Sequence, residues 1–313
     1  MTLQTARTAK PTLWQSIVRE FKRHKWLYGM AIPGVLIVFI FNYVPMYGIL
    51  IAFKDYKVKE GILGSPWVGF EYFKMFFSNP LAVRTIKNTF LLGLYNLLWS
   101  FPAPIILALL FNELKNQRFK KIIQTISYYP HFVSTVIIVG MLYNFCAADG
   151  IFNDVRGLFG LSPVNFMGEP QYFRTLYIAS GIWQGVGFST IIYLASLSGI
   201  DPTFYDVADI DGAGRFQKIW NITLPYLKPT IVILLIMAVG GTFGADSNKI
   251  LLMYSPGTYP TADVIGTYVY REGIQGAQFE YTTAVGLFQT AVNFVFLMAT
   301  NWVSRKLSDT SLF

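Results

Sequence analysis

Three aspartates, Asp206, Asp209 and Asp211, lie in a short stretch of small residues between two long apolar runs. Ala208 and Gly212 stand four residues apart in the same stretch. Carboxylates in this setting can meet basic groups of another protein. Small side chains also let a partner approach the backbone closely. The pattern therefore favours a docking segment, and an ordinary connecting loop is the alternative.

The residue types needed for catalysis do not occur in a recognisable arrangement. The sequence contains no G-x-x-x-x-G-K-[ST] phosphate loop, no G-x-S-x-G elbow and no H-E-x-x-H motif. It has a single cysteine, Cys146, and two distant histidines, His24 and His131. Neither a disulfide framework nor a Cys/His metal site is therefore predicted. We expect a chain that is not an enzyme and carries no metal or cofactor of its own.

A rigid helical turn would hold the aspartates in place. Pro202 can stand in the first turn of a helix, where its missing N–H costs nothing. Residues 203–211 are long enough for about two turns. Gly212 and Gly214 can end that helix, and Gly212 can adopt a positive φ. A second helix is predicted to begin near Arg215 and to run into Leu224-Pro225.

The composition indicates an integral membrane protein. Of the 313 residues, 53% are hydrophobic and only 13% are charged, whereas soluble domains carry about 25% charged residues. The net charge of +8 comes from basic residues beside apolar runs. Contacts with membrane lipid and the topology explain these residues, and no nucleic acid partner is expected.

Six apolar runs are long enough to cross a hydrocarbon core of about 30 Å, which predicts an all-α integral membrane fold. We place these spans at 27–53, 88–112, 122–148, 173–198, 229–253 and 281–304. Residues 1–26 are expected to form an N-terminal segment with an interfacial amphipathic helix, built on Leu13, Trp14, Ile17, Val18 and Phe21. Residues 27–304 form the membrane domain, including the loop 199–228, and residues 305–313 form a tail.

The distribution of lysine and arginine predicts the orientation. Basic residues dominate the N-terminal segment, the loop 113–121 and the tail, so these parts and both termini are expected in the cytoplasm. The loops 149–172 and 254–280 are more acidic and suit the outside. The loop 54–87 is an exception, because six basic residues there face the outside: Lys54, Lys57, Lys59, Lys74, Arg84 and Lys87. The loop 199–228 then lies in the cytoplasm.

Polar and aromatic residues within the predicted spans are candidates for a substrate path. Hydrogen bonds between helices are the alternative role for the polar ones. Asp246 and Lys249 are three residues apart and could pair on one helix. Gly181 and Gly185 favour close helix packing, with room for a bulky ligand as the alternative.

The loop resembles the EAA loop of ABC-importer permeases. Asp206-Val207-Ala208 stands for Glu-Ala-Ala, and the other motif positions fall at the family spacing: Gly212, Ile222, Leu224 and Pro225. The departures are Asp206 for Glu and Val207 for Ala. The resemblance implies a cytoplasmic coupling helix that contacts an ATPase through Tyr205, Asp206, Val207, Ala208, Asp209, Asp211, Gly212 and Ala213.

The resemblance extends along most of the chain. Asn88-Thr89 is similar to a common feature of sugar-importer permeases. Trp183 and Gly185 are placed as in maltose-type permeases, and this second similarity points to Gln184 and Phe188 as sugar contacts. We add Asp246 and Asn248 as further candidates for the substrate path. The segment 263–288 and the ending Leu312-Phe313 resemble permeases of polysaccharide importers typified by the alginate importer.

The resemblance implies a type I ABC-importer permease in a bacterial cytoplasmic (inner) membrane, with an oligosaccharide as its cargo. It also implies a second homologous permease subunit, two ABC ATPase subunits that hold ATP and Mg, and an extracytoplasmic solute-binding protein. A secondary sugar transporter and a membrane enzyme of polysaccharide synthesis are the alternatives.

Overall fold

The computed structural model describes residues 13–307, and about four fifths of these residues are helical. Its only β pairing within those residues is an isolated bridge between Lys54 and Trp67. Six stretches of the described chain are long and apolar enough to cross a membrane: Lys25–Phe53, Pro80–Asn112, Thr135–Leu158, Pro170–Leu197, Arg215–Gly240 and Phe279–Lys306. The predicted all-α membrane fold is confirmed. Residues 1–12 and 308–313, including Leu312-Phe313, lie outside the described residues.

Span 1 stands apart from the rest of the chain. It consists of an α-helix at Lys25–Val38, a π segment at Phe39–Tyr43 and a 3₁₀ segment at Val44–Phe53. All side chains from residue 25 to residue 47 are exposed, and Ala52 is the first buried one in this span. Only its last part packs on another span, the sixth. Span 1 therefore contributes almost nothing to the core of its own chain.

Proline explains the π segments in three of the spans. Each of these segments ends two residues before a proline, because proline offers no N–H and its ring crowds the preceding turn. The segments are Phe39–Tyr43 before Pro45, Asn96–Ser100 before Pro102, and Ile219–Thr223 before Pro225. In span 2 the flanking α-helices are Pro80–Tyr95 and Pro102–Asn112.

The third crossing is broken in its middle. Helix Gln117–Tyr128 and the 3₁₀ turn Tyr129–Phe132 precede helix Thr135–Cys146. Gly187 of span 4 lies against the carbonyl of Ser127, and Cys146 packs in one cluster with Phe173. These contacts place residues 117–146 alongside span 4, although length and hydropathy alone would choose Thr135–Leu158. The predicted bounds of 122–148 missed the break.

The fifth span differs from the predicted bounds of 229–253. Its helix begins at Arg215–Lys218, continues through Ile219–Thr223 and ends with Leu224–Gly240. Residues 241–246 are not helical, and a separate short helix, Ser247–Met253, follows. The glycines at positions 240, 241 and 244 disfavour a continuous helix. Half of the predicted loop 199–228 is thus the beginning of a span.

The six spans define two faces of the molecule. The near face carries the helix Leu13–Arg23, the turn at 113–116 and the loop at 198–214. The far face carries the segments 54–79, 147–169 and 254–278. The remaining helices are Gly61–Gly64, Glu71–Ser78, Ile151–Leu158, Thr203–Ile210, Pro256–Thr258, Tyr259–Ala262, Ile265–Val269 and Tyr270–Gln275, while span 4 is Pro170–Leu197 and the last helix Phe279–Leu307.

A buried carboxylate organises the far face. Asp263 is fully buried and accepts hydrogen bonds at 3.1 Å from Arg84 and Arg271 and at 2.9 Å from Thr267. Asn88 donates to the Asp263 carbonyl at 3.0 Å. A buried charge is stable only with such compensation. Arg84, one of the unexpected basic residues of the loop 54–87, therefore has a structural role.

Candidate functional site

The helix Thr203–Ile210, which we call the loop helix, has a defined start and end. The Asp201 carboxylate accepts the Thr203 N–H at 2.9 Å, and hydrogen bonding from Thr203 lowers the pKa of Asp201. At the other end Gly212 has φ +73°. The Gly212 N–H donates to the Asp209 carbonyl at 3.1 Å, and the Ala213 N–H donates to the Ala208 carbonyl at 2.8 Å. This pair of bonds is a Schellman motif, which favours glycine at its left-handed position.

Side-chain contacts join the loop helix to span 5. The Tyr205 hydroxyl and the buried Thr223 hydroxyl are 2.9 Å apart. Asp209 forms an ion pair with Lys218. Both partners lie in the first turns of span 5, so the loop helix and that end of the span are held together. Asp209 is consequently already paired within its own chain.

The loop helix presents one face away from the chain. Phe204, Val207 and Ile210 are exposed, with Ile210 at 84%. Asp206, Asp211 and Gly212 are exposed too. Ala208 and Ala213 are half-buried. The surface available to a partner is thus an apolar face with acidic neighbours. The sequence predicted a different surface, formed by Ala208 and Gly212.

A cavity of about 640 Å³ lies between spans 2, 4 and 5. Two of the four predicted substrate-path residues, Phe188 and Asp246, line it. The Phe188 ring stacks on His131, with the ring centroids 4.0 Å apart. Other lining residues are Asn96, Ser100, Tyr177, Ser189, Tyr193 and Thr242. The cavity offers both flat aromatic faces and hydrogen-bonding groups, which is a combination that suits polyhydroxylated ligands.

The other two predicted residues have different surroundings. Gln184 donates at 3.1 Å to the Val133 carbonyl, at the break in the third crossing. Asn248 is exposed and does not line the cavity. Gln184 thus satisfies backbone that the break leaves free, a requirement for irregular chain at membrane depth.

The non-helical segment 241–246 forms one wall of the cavity, and side chains from two other spans hold it. Asn293 accepts the Phe243 N–H at 3.0 Å, and Gln289 donates to the Phe243 carbonyl. The Tyr177 hydroxyl accepts the Asp246 N–H at 3.0 Å. These bonds replace the helical ones that the segment lacks. The wall is therefore fixed by the chain itself.

The expected pairing of Asp246 with Lys249 does not form. The Asp246 carboxylate accepts the backbone N–H groups of Asn248 at 3.1 Å and of Lys249 at 3.3 Å, and so begins the short helix. The Lys249 ammonium instead donates to the Tyr177 carbonyl at 3.2 Å. The expectation assumed one continuous helix, in which residues three apart lie on the same side. The chain is not helical before Asp246, so the two side chains do not have that arrangement.

The six spans, the loop helix tied to a span and the cavity at a broken helix define a membrane permease. The chain belongs to the family of binding-protein-dependent transport system inner membrane components, whose model matches residues 27–309. The protein LplB of Bacillus subtilis is 42% identical over 95% of this chain and 94% of its own length. The polygalacturonan/rhamnogalacturonan transport system permease protein YteP of the same organism is 40% identical over 99% of this chain and 100% of its own.

A solved structure agrees with these relatives. A chain of a bacterial alginate ABC transporter, in complex with a periplasmic protein bound to an alginate pentasaccharide, superposes with a TM-score of 0.88. It is 40% identical, over 96% of this chain and 100% of that one. The protein is thus a multi-pass inner-membrane permease component of a carbohydrate ABC importer, and a transport component rather than a catalytic enzyme.

Proposed function

We propose that the chain is one membrane half of an ATP-driven importer of oligosaccharides or polysaccharides. Its partners are a second homologous permease, two ABC ATPase subunits that bind ATP and Mg, and an extracytoplasmic solute-binding protein. The chain itself carries the sugar path and transmits the movement of the ATPases. It holds no ATP, because the sequence has no phosphate loop.

The near face belongs in the cytoplasm in this proposal. Lysine and arginine concentrate in the N-terminal segment, in residues 115–121 and near the end of the last helix. Such residues remain on the cytoplasmic side of membrane proteins. Both termini and the loop helix then lie in the cytoplasm, where ATPase subunits are found.

The connection between the loop helix and span 5 is the observation that carries the proposal. A force on the exposed residues Phe204, Val207 and Ile210 would pass to the span through the Tyr205–Thr223 hydrogen bond and the Asp209–Lys218 ion pair. A loop that only connected two spans would not need these contacts. We therefore assign ATPase coupling to Tyr205, Asp206, Val207, Ala208, Asp209, Asp211, Gly212 and Ala213.

The exposed surface of span 1 supports the proposal of a second membrane subunit. Its side chains from residue 25 to residue 47 are exposed, so its own chain leaves most of that surface open. In a membrane, helices associate through packing with neighbouring helices. We propose that the homologous permease provides these neighbours.

The cavity supports the sugar path, and Phe188 is its most direct test. Aromatic faces and carboxylates are suited to sugar rings and hydroxyls, and both occur in the wall as Phe188 and Asp246. We expect Phe188→Ala to lower sugar uptake by about tenfold, because one stacking face of ~1–2 kcal/mol is lost. Uptake is measured in liposomes with the complete importer. Phe294→Ala, which removes an exposed ring of the last helix outside the cavity wall, is the control.

The subunit proposal is tested by purifying the chain from its native membrane and weighing the intact complex by native mass spectrometry. We expect two permeases and two ATPases, with sugar uptake that requires ATP and the binding protein. A transport-competent homodimer without ATPase, driven by an ion gradient, would indicate the secondary transporter instead.

A further inference from the structure

A slot of about 500 Å³ lies between spans 2 and 4. Its wall consists of two residues of span 2 and six of span 4: Tyr95, Trp99, Gln171, Arg174, Thr175, Ile178, Ala179 and Ile182. The wall of the cavity includes none of these residues, so the slot is a separate space. Span 4 packs mainly against Pro102–Asn112 of span 2 and much less against Pro80–Tyr95. The two spans therefore separate toward the far face, and the slot opens where they do.

The slot is polar at its far-face end and apolar further in. Its three polar residues of span 4 come from the first turns of the helix that begins at Pro170. The isoleucines and the alanine follow on the same side of that helix, at steps of three or four residues. At 1.5 Å per residue the stripe from 171 to 182 is roughly 16 Å long, about half of a 30 Å hydrocarbon core. The slot therefore suits a molecule that is polar at one end and apolar at the other.

Arg174 is the cation of the slot, and the chain compensates its charge only in part. One Nη group donates to the Asn88 Oδ1 at 2.8 Å, while the buried Nε has no hydrogen-bond partner in the described chain. Among the described residues, no ion pair includes Arg174. The Asn88 amide also reaches the Asp263 backbone, but the Asp263 carboxylate is already held by two other arginines. Glu169, the nearest acid in sequence, is exposed and is not part of the slot wall.

We propose that the slot binds one anionic phospholipid of the leaflet at the far face, with its phosphate at Arg174 and an acyl chain along Trp99 and Ile182. A guanidinium offers five N–H donors and matches the geometry of phosphate oxygens. Basic pockets between membrane helices bind anionic head groups in this way. An apolar helix of another subunit would fill the deep part of the slot but would leave Arg174 without an anion. The lipid site is independent of the sugar path and of the ATPase contact.

The test uses the fluorescence of Trp99, which lines the slot and is 64% exposed. The complete importer is placed in nanodiscs with equal parts of phosphatidylglycerol and phosphatidylcholine. In each of two preparations, one of the two lipids carries bromine on its acyl chains and quenches nearby tryptophans. The difference between the importer and its Trp99→Phe variant isolates the quenching of Trp99. The ratio of quenching by the two brominated lipids then measures the preference of the slot.

The ratio is compared for wild type, Arg174→Gln, Arg174→Lys and Lys87→Gln. Lys87 is the matched control, because it is exposed, directly precedes the Arg174 partner Asn88 and is not part of the slot wall. We expect wild type to prefer phosphatidylglycerol by about fivefold, the effect of one basic residue near an anionic membrane surface. Arg174→Gln should bring the ratio close to one. Arg174→Lys and Lys87→Gln should keep most of the preference.

Four outcomes would contradict the lipid site. Equal quenching by both lipids in wild type would show ordinary contact with bulk lipid, and no quenching by either would show that another subunit covers the slot. These two results need no variant at Arg174. An unchanged ratio in Arg174→Gln would show that Arg174 does not hold the head group. Equal losses in Arg174→Gln and Lys87→Gln would show an effect of surface charge alone. Each result overturns the lipid site and leaves the proposed function intact.

Discussion

Two short helices on opposite faces of the molecule share a sequence pattern and a geometry. Ile151–Leu158 on the far face and the loop helix Thr203–Ile210 on the near face are each eight residues long. Aligned at their first residues, both have Phe second, Asp fourth, Val fifth and Gly tenth. Both end in a Schellman motif, with φ +70° at Gly160 and φ +73° at Gly212. Leu158 and Ile210 are each 84% exposed.

The third residue of each helix distinguishes the two. Asn153 bonds to the backbone of Ala147 and Val164, which are at most 11 residues away in its own loop. Tyr205 bonds instead to Thr223, 18 residues away within a span. Exposed apolar side chains therefore do not by themselves indicate a coupling segment. We propose that a side-chain hydrogen bond into a span does, because the far-face helix also touches a span, but through the Phe145–Phe152 ring contact. The predictions below are designed to separate this hydrogen bond from the features that the helices share.

The largest effect is expected at the two turn glycines. Gly212→Glu and Gly160→Glu should each cost about 1 kcal/mol of stability, because a side chain is strained at positive φ, and neither Cβ would touch another atom of the chain. Only Gly212→Glu places a bulky charge in the proposed ATPase contact, and a central clash can remove most of an interface's affinity. We expect sugar-stimulated ATPase activity to fall by tenfold or more in Gly212→Glu and to stay near wild type in Gly160→Glu.

The measurement uses the reconstituted importer with sugar-loaded binding protein, and co-purification of the ATPase is followed alongside. Equal losses in the two variants would mean that turn strain alone is responsible. Normal activity of Gly212→Glu would mean that the loop helix is a connector like its far-face counterpart.

A smaller effect is expected at the third residue of each helix. The variant that loses more stability should lose less transport. Asn153→Ala removes three hydrogen bonds of a buried amide and should destabilise the complex by about 1–3 kcal/mol. Tyr205→Phe removes a single hydroxyl and should cost about 1 kcal/mol or less. We nevertheless expect the Tyr205 variant to lose several-fold in uptake per ATP hydrolysed, since its hydroxyl joins the loop helix to span 5.

Thermal unfolding of the purified complex and the ratio of uptake to ATP hydrolysis test this ranking. If uptake follows stability in both variants, the Tyr205–Thr223 hydrogen bond has no special role in transmission, and the comparison between the two helices loses its main support.

Local chemistry was enough to predict the loop helix from the sequence. Pro202 near its start and Gly212 at its end act on adjacent residues only, so their effect is visible in the sequence itself. The number of spans was equally accessible because it follows from length and apolarity, although these did not give the correct bounds of the third and fifth spans. The sequence could not predict which side chains of the loop helix face outward. The direction of Ala208 depends on how Tyr205 packs against a span.

The broken helices could not be predicted for a related reason. The break at 133–134 and the unwound segment 241–246 persist because Gln184, Asn293 and Tyr177 satisfy the free backbone groups. These partners are 50 to 69 residues away in sequence. Apolar composition predicts a continuous helix at both places. The predicted end of span 5 and the predicted pairing of Asp246 with Lys249 were therefore wrong.

The smallest effect is expected at the fourth residues, where both helices carry an exposed aspartate. Asp206→Lys reverses a charge at the edge of the proposed ATPase contact, and edge charges typically contribute less than about 1 kcal/mol. We expect a loss of two- to threefold in stimulated ATPase activity at low salt. Because the Debye length falls from about 30 Å at 0.01 M to about 8 Å at 0.15 M ionic strength, the deficit should shrink as salt is added. Asp154→Lys, at the equivalent position of the far-face helix, should show no salt-dependent ATPase deficit.

Two outcomes would contradict this expectation. A deficit in Asp206→Lys that does not change with salt would mean that Asp206 makes a short-range contact rather than an edge interaction. A matching deficit in Asp154→Lys would remove the distinction between the two faces.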